Sequence, residues 1–174
     1  SGTDTTWIAR HLCMRGRMQF SLSGTLSTMA CALPYAIGAA IAYPSRQIIS
    51  VAGDGALAML LAELATVAYY HLPIKVVVVK NNALNQVRWE QLVQFGYPEF
   101  AVELQPIDFA AVARACGVPG YRVDDPAQVA ATLQEALSQP GPALVECAVD
   151  PNEPPMPGKI TTQQARLLAD GLLK

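Results

Sequence analysis

Residues 48–55 read Ile-Ile-Ser-Val-Ala-Gly-Asp-Gly, an apolar run that ends in a Gly-Asp-Gly turn. A short run of β-branched and small apolar residues stops at Gly53 and Asp54, a pattern typical of a buried strand followed by a turn. A second, valine-rich run, residues 76–80, stops at Asn81 and Asn82. Two parallel strands would carry the carboxylate and the carboxamides to one edge of a sheet. The edge at the carboxyl ends of the strands is where open α/β sheets bind ligands.

The residue types at these two strand ends suit a magnesium ion bound to a diphosphate. Mg²⁺ takes hard oxygen ligands, usually one or two carboxylates together with substrate phosphates and water. Asp54 would supply the carboxylate, Asn81 an amide oxygen, and Ala83 a main-chain carbonyl. Flanking glycines let the backbone approach a phosphate closely. A helix predicted to begin near Ala56 would point its free N–H groups at the same anion.

The rest of the chain alternates strand patterns with helix patterns. This alternation predicts an α/β fold, a parallel sheet with helices on both faces. Asp108 is expected to cap a helix. The predicted strands are 48–52, 75–80, 121–123 and 143–149, the predicted helices are 5–15, 30–43, 56–70, 108–116, 126–138 and 161–173, and 18–22 is a short extended run.

Composition excludes several classes of function. The 174 residues are 52% apolar and only 15% charged, which predicts that much of the surface is buried against another domain or subunit. A net charge of −2 gives no reason to expect nucleic acid or an anionic membrane as a partner. Four scattered cysteines form no C-x-x-C pair and are expected to be reduced, as in a cytoplasmic protein.

The stretch from Gly53 to Asn82 resembles the thiamine-diphosphate motif of the family that contains pyruvate oxidases, acetolactate synthases and 2-oxoacid decarboxylases. Residues 27–39 resemble the segment that carries the pyrimidine ring of the cofactor in that family. Within the family, residues 72–75, 103–109 and 154–157 look like the pyruvate oxidase and quinone-linked pyruvate dehydrogenase branch. Counting without gaps, Asn81 stands at the metal-ligand position, and Asn82 is the alternative. Asn85 departs from the pattern, since relatives usually have Gly there.

The resemblance implies a thiamine-diphosphate-binding fold and a set of cofactor contacts. Mg²⁺ would be held by Asp54, Asn81 and the carbonyl of Ala83, and the backbone of Gly53, Gly55 and Ala56 would contact the diphosphate. Met29 would lie under the bent cofactor, and the backbone at Ser27 and Met29 would hydrogen-bond the pyrimidine edge. Such a bend brings the 4′-imino nitrogen of the pyrimidine next to the thiazolium carbon that it deprotonates.

Substrate contacts are expected from Val87 and Trp89, which follow the metal ligands; ordinary packing is an equally good interpretation of Trp89. Non-oxidative pyruvate decarboxylases carry Glu at the position of Val87. An apolar residue there favours passing the intermediate to an oxidant or to a second ketoacid. Glu63 lies on the wrong element to activate the cofactor. The activating glutamate is expected on a separate domain, so no catalytic residue is expected here and the chain alone should be inactive.

The resemblance predicts one domain over residues 1–174, the C-terminal third of a longer chain, with a proline-rich connector and a C-terminal helix over 151–174. An N-terminal pyrimidine-binding domain would complete the site, within a homodimer or homotetramer. FAD would belong to an absent middle domain. The leading function is oxidative decarboxylation of pyruvate or a similar 2-oxoacid. The alternatives are acetolactate-synthase-type carboligation and a degenerate module that only binds cofactor or supports oligomers. Association of residues 161–173 with a membrane is not expected, because the tail carries few basic residues.

Overall fold

The computed structural model describes residues 2–155 and 160–173. It confirms the α/β prediction. Four strands form one sheet in the order β1-β2-β4-β3, and every neighbouring pair is parallel. The strands are β1 (Ile48–Gly53), β2 (Ile74–Lys80), β3 (Gly120–Val123) and β4 (Ala143–Ala148).

Helices connect and flank the strands. They are α1 (Thr3–His11), α2 (Ala32–Ala42), α3 (Asp54–Met59), α4 (Glu63–Tyr69), α5 (Asn85–Glu90), α6 (Phe109–Ala115), α7 (Val129–Ser138) and α8 (Thr162–Leu173). A π-helix, Gln91–Phe95, continues α5, and a short 3₁₀ turn, Pro126–Gln128, precedes α7. The carboxylate of Asp108 accepts a hydrogen bond from the main-chain N–H of Ala111 at 2.7 Å, which confirms the predicted cap of α6.

Two hydrophobic clusters place helices on both faces of the sheet. On one face Val76 and Val78 of β2 pack with side chains of α2, α4 and α6, including Phe109. On the other face Val145 of β4 packs with Ala136 of α7. Successive strand residues point to opposite faces of the sheet. Helices can therefore pack on both faces only where consecutive strand residues are apolar.

The helix predicted over 56–70 is wrong in two respects. It begins at Asp54, and it is interrupted, because α3 ends at Met59 and α4 begins at Glu63. Tight hydrogen bonds to carbonyls three residues back, such as Glu63 N–H to Leu60, form the turn between the two helices. This stretch is apolar nearly all round and contains neither Gly nor Pro, so its sequence shows no break.

The C-terminal part is described in two pieces, residues 151–155 and 160–173. Residues 151–155 contain a turn and no regular element, and α8 follows from Thr162. Residues 156–159 lie outside the described residues, so half of the 154–157 segment that resembles the pyruvate oxidase branch is not described. Within the described chain, no helix is long and apolar enough to cross a membrane. The extended run at 18–22 forms no strand.

Candidate functional site

The ends of β1 and β2 lie side by side, with Gly53 in register with Val79. The next residues along both strands therefore meet at one edge of the sheet, as the sequence predicts. An open cleft of about 610 Å³ lies there. Most of the predicted site residues line it: Ser27, Met29, Gly53, Asp54, Gly55, Ala56, Asn81, Ala83 and Val87.

Asp54 joins the two strand ends. Its Oδ1 accepts a hydrogen bond from the N–H of Gly55 at 2.8 Å, and its Oδ2 accepts from the N–H groups of Asn81 at 3.1 Å and Asn82 at 2.6 Å. The side chain is only 6% exposed. Burial raises the pKa of the Asp54 carboxyl, and these main-chain hydrogen bonds act in the opposite direction. A divalent cation in the cleft would offset the cost of burying this charge.

The two candidate asparagines occupy different environments. Asn81 lines the cleft, and its Oδ1 accepts a hydrogen bond from the N–H of Ala83 at 3.0 Å. Asn82 is exposed, adopts a left-handed backbone with φ of 56°, and is not part of the described cleft wall. An asparagine tolerates this backbone better than most residues do. The geometry therefore favours Asn81 as the ligand.

Gly55 is packed closely by the ends of three side chains. A Cβ atom at Gly55 would lie 2.9 Å from the terminal methyl of Met29, 2.9 Å from Leu104 Cδ1 and 3.2 Å from Leu84 Cδ2. Only a glycine allows Met29 to lie this close to the turn after β1. The sequence prediction did not include Leu84 or Leu104, because nothing in the sequence pattern places 103–104 near residue 55.

The loop that carries Ser27 is held in a strained shape. Ser27 has a φ of 49°, which a non-glycine residue adopts at a free-energy cost of about 1–3 kcal/mol. The buried Ser23 hydroxyl accepts a hydrogen bond from the N–H of Thr28 at 2.9 Å, which fixes the loop between them. Strain of this kind clusters at binding sites, so the position of Ser27 on the cleft wall fits a binding role.

The two predicted substrate-facing residues separate. Val87 is partly exposed on the cleft wall. Trp89 does not line the described cleft; it borders a small neighbouring cavity of about 180 Å³ with Thr6 and Glu90. Glu63 lies outside the cleft wall and accepts a hydrogen bond from the Thr66 hydroxyl at 2.8 Å, in agreement with a structural role.

Several cleft residues were missed by sequence reasoning. The start of α1, residues 2–6, borders the cleft, as do Asn85, Gln86 and Glu90. Gln86 Nε2 donates to Glu90 Oε1 at 2.9 Å, so these two side chains form a pair on one face of α5. The helix-period pattern from 85 onward was available in the sequence, but the polar residues at its start resemble a continuing loop.

The donor set suits a hard cation that is only partly held by protein. Among the described residues there is no cluster of three or more His, Cys, Asp or Glu side chains able to hold a metal ion. Three cleft residues, Asp54, Asn81 and Ala83, instead offer one carboxylate, one carboxamide and one main-chain carbonyl. Such a set fits Mg²⁺ that completes its six ligands with phosphate oxygens and water, the usual arrangement at nucleotide and diphosphate sites.

Comparison with known proteins identifies a cofactor-binding family. Residues 1–147 match the family model described as "Thiamine pyrophosphate enzyme, C-terminal TPP binding domain". A Bacillus subtilis (strain 168) protein named "Putative thiamine pyrophosphate-containing protein YdaP" is 41% identical over 173 residues, which cover 99% of this chain and 30% of that protein.

Acetolactate synthases are similar as well. The large subunit of Porphyra purpurea is 35% identical over 168 residues, covering 93% of this chain and 28% of that subunit. The isozyme 1 large subunit of Escherichia coli (strain K12) is 34% identical over 153 residues, covering 87% of this chain and 27% of that subunit. The chain thus spans under a third of the length of these relatives. By the extent of the family match, the chain belongs to the thiamine pyrophosphate enzymes and comprises their C-terminal cofactor-binding domain.

Proposed function

We propose that this domain holds the diphosphate end of thiamine diphosphate through Mg²⁺ bound by Asp54, Asn81 and the carbonyl of Ala83. The observation that carries the proposal is the position of Asp54. Its buried carboxylate bridges the ends of β1 and β2 and lines a cleft of about 610 Å³, a volume typical of cofactor pockets. The oxygen donors around it match the preference of Mg²⁺.

The other end of the cleft would position the cofactor rings. Met29 lies against Gly55, where its side chain would support the bent cofactor, and the backbone at Ser27 and Met29 would contact the pyrimidine. The bound thiazolium supplies the electron sink for decarboxylating a 2-oxoacid. The residues of this chain contribute binding, orientation and the exclusion of water from one side of the cleft.

For the reaction we propose carboligation of the acetolactate-synthase type, starting from pyruvate or a similar 2-oxoacid. The two acetolactate synthases named above, at 34–35% identity, support it. Val87 supports it from the structure, because an apolar side chain at this point of the cleft cannot donate a proton to the intermediate. Val87 would thus leave the reacting carbon without a nearby acid, which carboligation to a second ketoacid requires.

Oxidative decarboxylation is the second candidate. The same apolar Val87 would also protect an intermediate that passes its electrons to an oxidant. Residues 72–75 and 103–109 resemble the pyruvate oxidase branch, and this resemblance favours the oxidative reaction. It would require an electron acceptor such as FAD on another domain.

The rest of the active site would come from an N-terminal pyrimidine-binding domain of the same or a neighbouring subunit, which would carry the activating glutamate. A homodimer or homotetramer would follow from such a shared site. Exposed large apolar side chains support burial of this domain in an assembly, among them Phe100 at 78% and Leu26 at 86% exposure.

The two reactions are distinguished by incubating the complete protein with pyruvate, thiamine diphosphate and Mg²⁺. Carboligation predicts that acetolactate accumulates without an added electron acceptor. Oxidative decarboxylation predicts that a dye or quinone is reduced in proportion to the pyruvate consumed, with no acetolactate. In a parallel reaction, Val87→Glu should divert the intermediate to acetaldehyde. Tight cofactor binding without turnover of pyruvate or other 2-oxoacids would instead indicate a degenerate binding module.

A further inference from the structure

Asn85 has a buried polar atom that the protein leaves unpaired. It is the first residue of α5 and is only 6% exposed. Within the part of the chain that the structure describes, its Oδ1 has no hydrogen-bond partner. Buried polar groups almost always have a partner, because water is lost on burial and an unmade hydrogen bond is costly. An unpaired carboxamide beside a ligand cleft therefore indicates a partner that arrives with the ligand.

The location of Asn85 identifies the end of the ligand involved. Asn85 lines the same cleft as Asp54 and Asn81. Together with Asn81 it also borders an adjacent apolar cavity of about 570 Å³, so both asparagines lie on the wall between the two spaces. This is the metal-ligand end of the cleft.

The neighbouring polar side chains on this wall already have protein partners. The Asp54 carboxylate accepts hydrogen bonds from three main-chain N–H groups, and Asn81 Oδ1 accepts one from the N–H of Ala83. Gln86 is paired with Glu90. Asn85 differs from them, because its amide oxygen is buried and unpaired.

A carboxamide offers one acceptor oxygen and two donor hydrogens, so it can pair with either kind of group on a ligand. A hydrated magnesium diphosphate presents groups that suit both orientations. Its phosphate oxygens accept hydrogen bonds, and its metal-bound waters donate them. We infer that the Asn85 carboxamide hydrogen-bonds the hydrated metal–diphosphate end of the cofactor and thereby adds a contact that none of the predicted cofactor residues supplies. The inference rests on the proposed cofactor site.

Removing one hydrogen bond to a charged ligand is expected to weaken binding by about tenfold to hundredfold. Asn85→Ala should therefore raise the Kd for thiamine diphosphate in Mg²⁺ by that factor. The ligand-free protein should behave in the opposite way. Because the substitution removes an unpaired buried group, its thermal midpoint should stay unchanged or rise.

The experiment measures both quantities on the complete protein: the Kd for thiamine diphosphate with Mg²⁺ by calorimetry, and the thermal midpoint without ligand. Ser50→Ala is the matched control. Ser50 is 3% exposed in β1, its hydroxyl also has no partner among the described residues, and it does not border the described cleft. Ser50→Ala should leave the Kd unchanged. Asp54→Ala should abolish binding and so reports on the site itself.

Each outcome decides the matter. A weaker Kd for Asn85→Ala, with an unchanged or higher thermal midpoint and a normal Kd for Ser50→Ala, supports the contact. A Kd within about twofold of the parent, while Asp54→Ala fails to bind, overturns the role of Asn85 and leaves the proposed function standing. A weaker Kd accompanied by a lower thermal midpoint, or shared by Ser50→Ala, indicates a structural effect and also overturns it. If the parent protein does not bind the cofactor, the proposed function fails and the inference fails with it.

Discussion

The buried ion pair between Lys80, the last residue of β2, and Glu146 yields a quantitative prediction. Glu146 of β4 is 1% exposed, and its Oε1 accepts a hydrogen bond from Lys80 Nζ at 2.8 Å. Its Oε2 accepts from the N–H groups of Phe109 at 2.7 Å and Ala110 at 3.2 Å, at the start of α6. In Glu146→Ala, the Lys80 ammonium would keep the carbonyl of Ile107 and the face of the Phe109 ring, 5.9 Å from its centroid, but no opposite charge to which it is paired in the structure.

The expected loss of stability follows from these contacts. Removing one partner of a buried ion pair costs about 3–5 kcal/mol, because the other charge stays buried without compensation. The two freed N–H groups at the helix start add about 1 kcal/mol. The free energy of unfolding should therefore fall by about 4–6 kcal/mol. In a domain of this size, each kcal/mol of lost stability lowers the thermal midpoint by about 2–4 °C, so the midpoint should fall by about 10–20 °C.

Urea denaturation of the complete protein, followed by circular dichroism, measures the effect. Asp124→Ala is the control, since Asp124 forms a 2.8 Å pair with Arg122 in which both side chains are at least half exposed. Loss of this surface pair should leave the free energy of unfolding nearly unchanged, because solvent screens an exposed ion pair. The double variant Lys80→Met with Glu146→Leu should recover most of the stability. A free energy of unfolding for Glu146→Ala within about 1 kcal/mol of the parent value would contradict this prediction. A double variant that is as unstable as Glu146→Ala would contradict it as well.

Three further predictions concern individual residues. Gly55→Ala should leave the thermal midpoint nearly unchanged, because its Cβ meets only flexible side-chain ends, yet it should weaken cofactor binding by displacing Met29; calorimetry and a thermal melt together check this. Gly171→Ala should weaken the docking of α8 by about 1–3 kcal/mol, because the added Cβ would lie 2.8 Å from the main-chain carbonyl oxygen of Tyr97. Limited proteolysis should then release the C-terminal peptide faster than in the parent. Burial and the Glu146 charge raise the pKa of Cys147, so alkylation of Cys147 by iodoacetamide should remain slow until well above a pH of about 8.5. Because the thiol ionises first in the unfolded chain, its contribution to stability should fall as the pH rises through that range. Rapid labelling of Cys147 at neutral pH would contradict the raised pKa.

The parts of the fold that could be predicted are those that local patterns determine. β-branched runs identify β1 and β2, and two such strands separated by helical sequence imply a parallel pair. The approach of Asp54 to Asn81 follows from that pairing alone. The choice of Asn81 over Asn82 came from counting positions, and the exposed, left-handed Asn82 is in accord with it.

Other features depend on register and on main-chain atoms, which no residue pattern reveals. Glu146 is in register with Val78, two residues before Lys80, so their ion pair requires the exact alignment of β2 with β4. The hydrogen bonds that Asp54 accepts come from backbone N–H groups, which every residue except proline possesses. The π-helix at 91–95 likewise has no sequence signal of its own, and it is the surface on which α8 packs.

We propose above that Asp54, Asn81 and the carbonyl of Ala83 hold the metal that anchors the diphosphate. The most direct test is a crystal structure of the complete protein with thiamine diphosphate and Mn²⁺ in place of Mg²⁺, in which the anomalous signal locates the metal. The account predicts one peak in the cleft, at about 2.0–2.3 Å from oxygens of these three residues and of the diphosphate. A peak coordinated by Asn82 instead of Asn81, or a diphosphate bound away from Asp54, would contradict it.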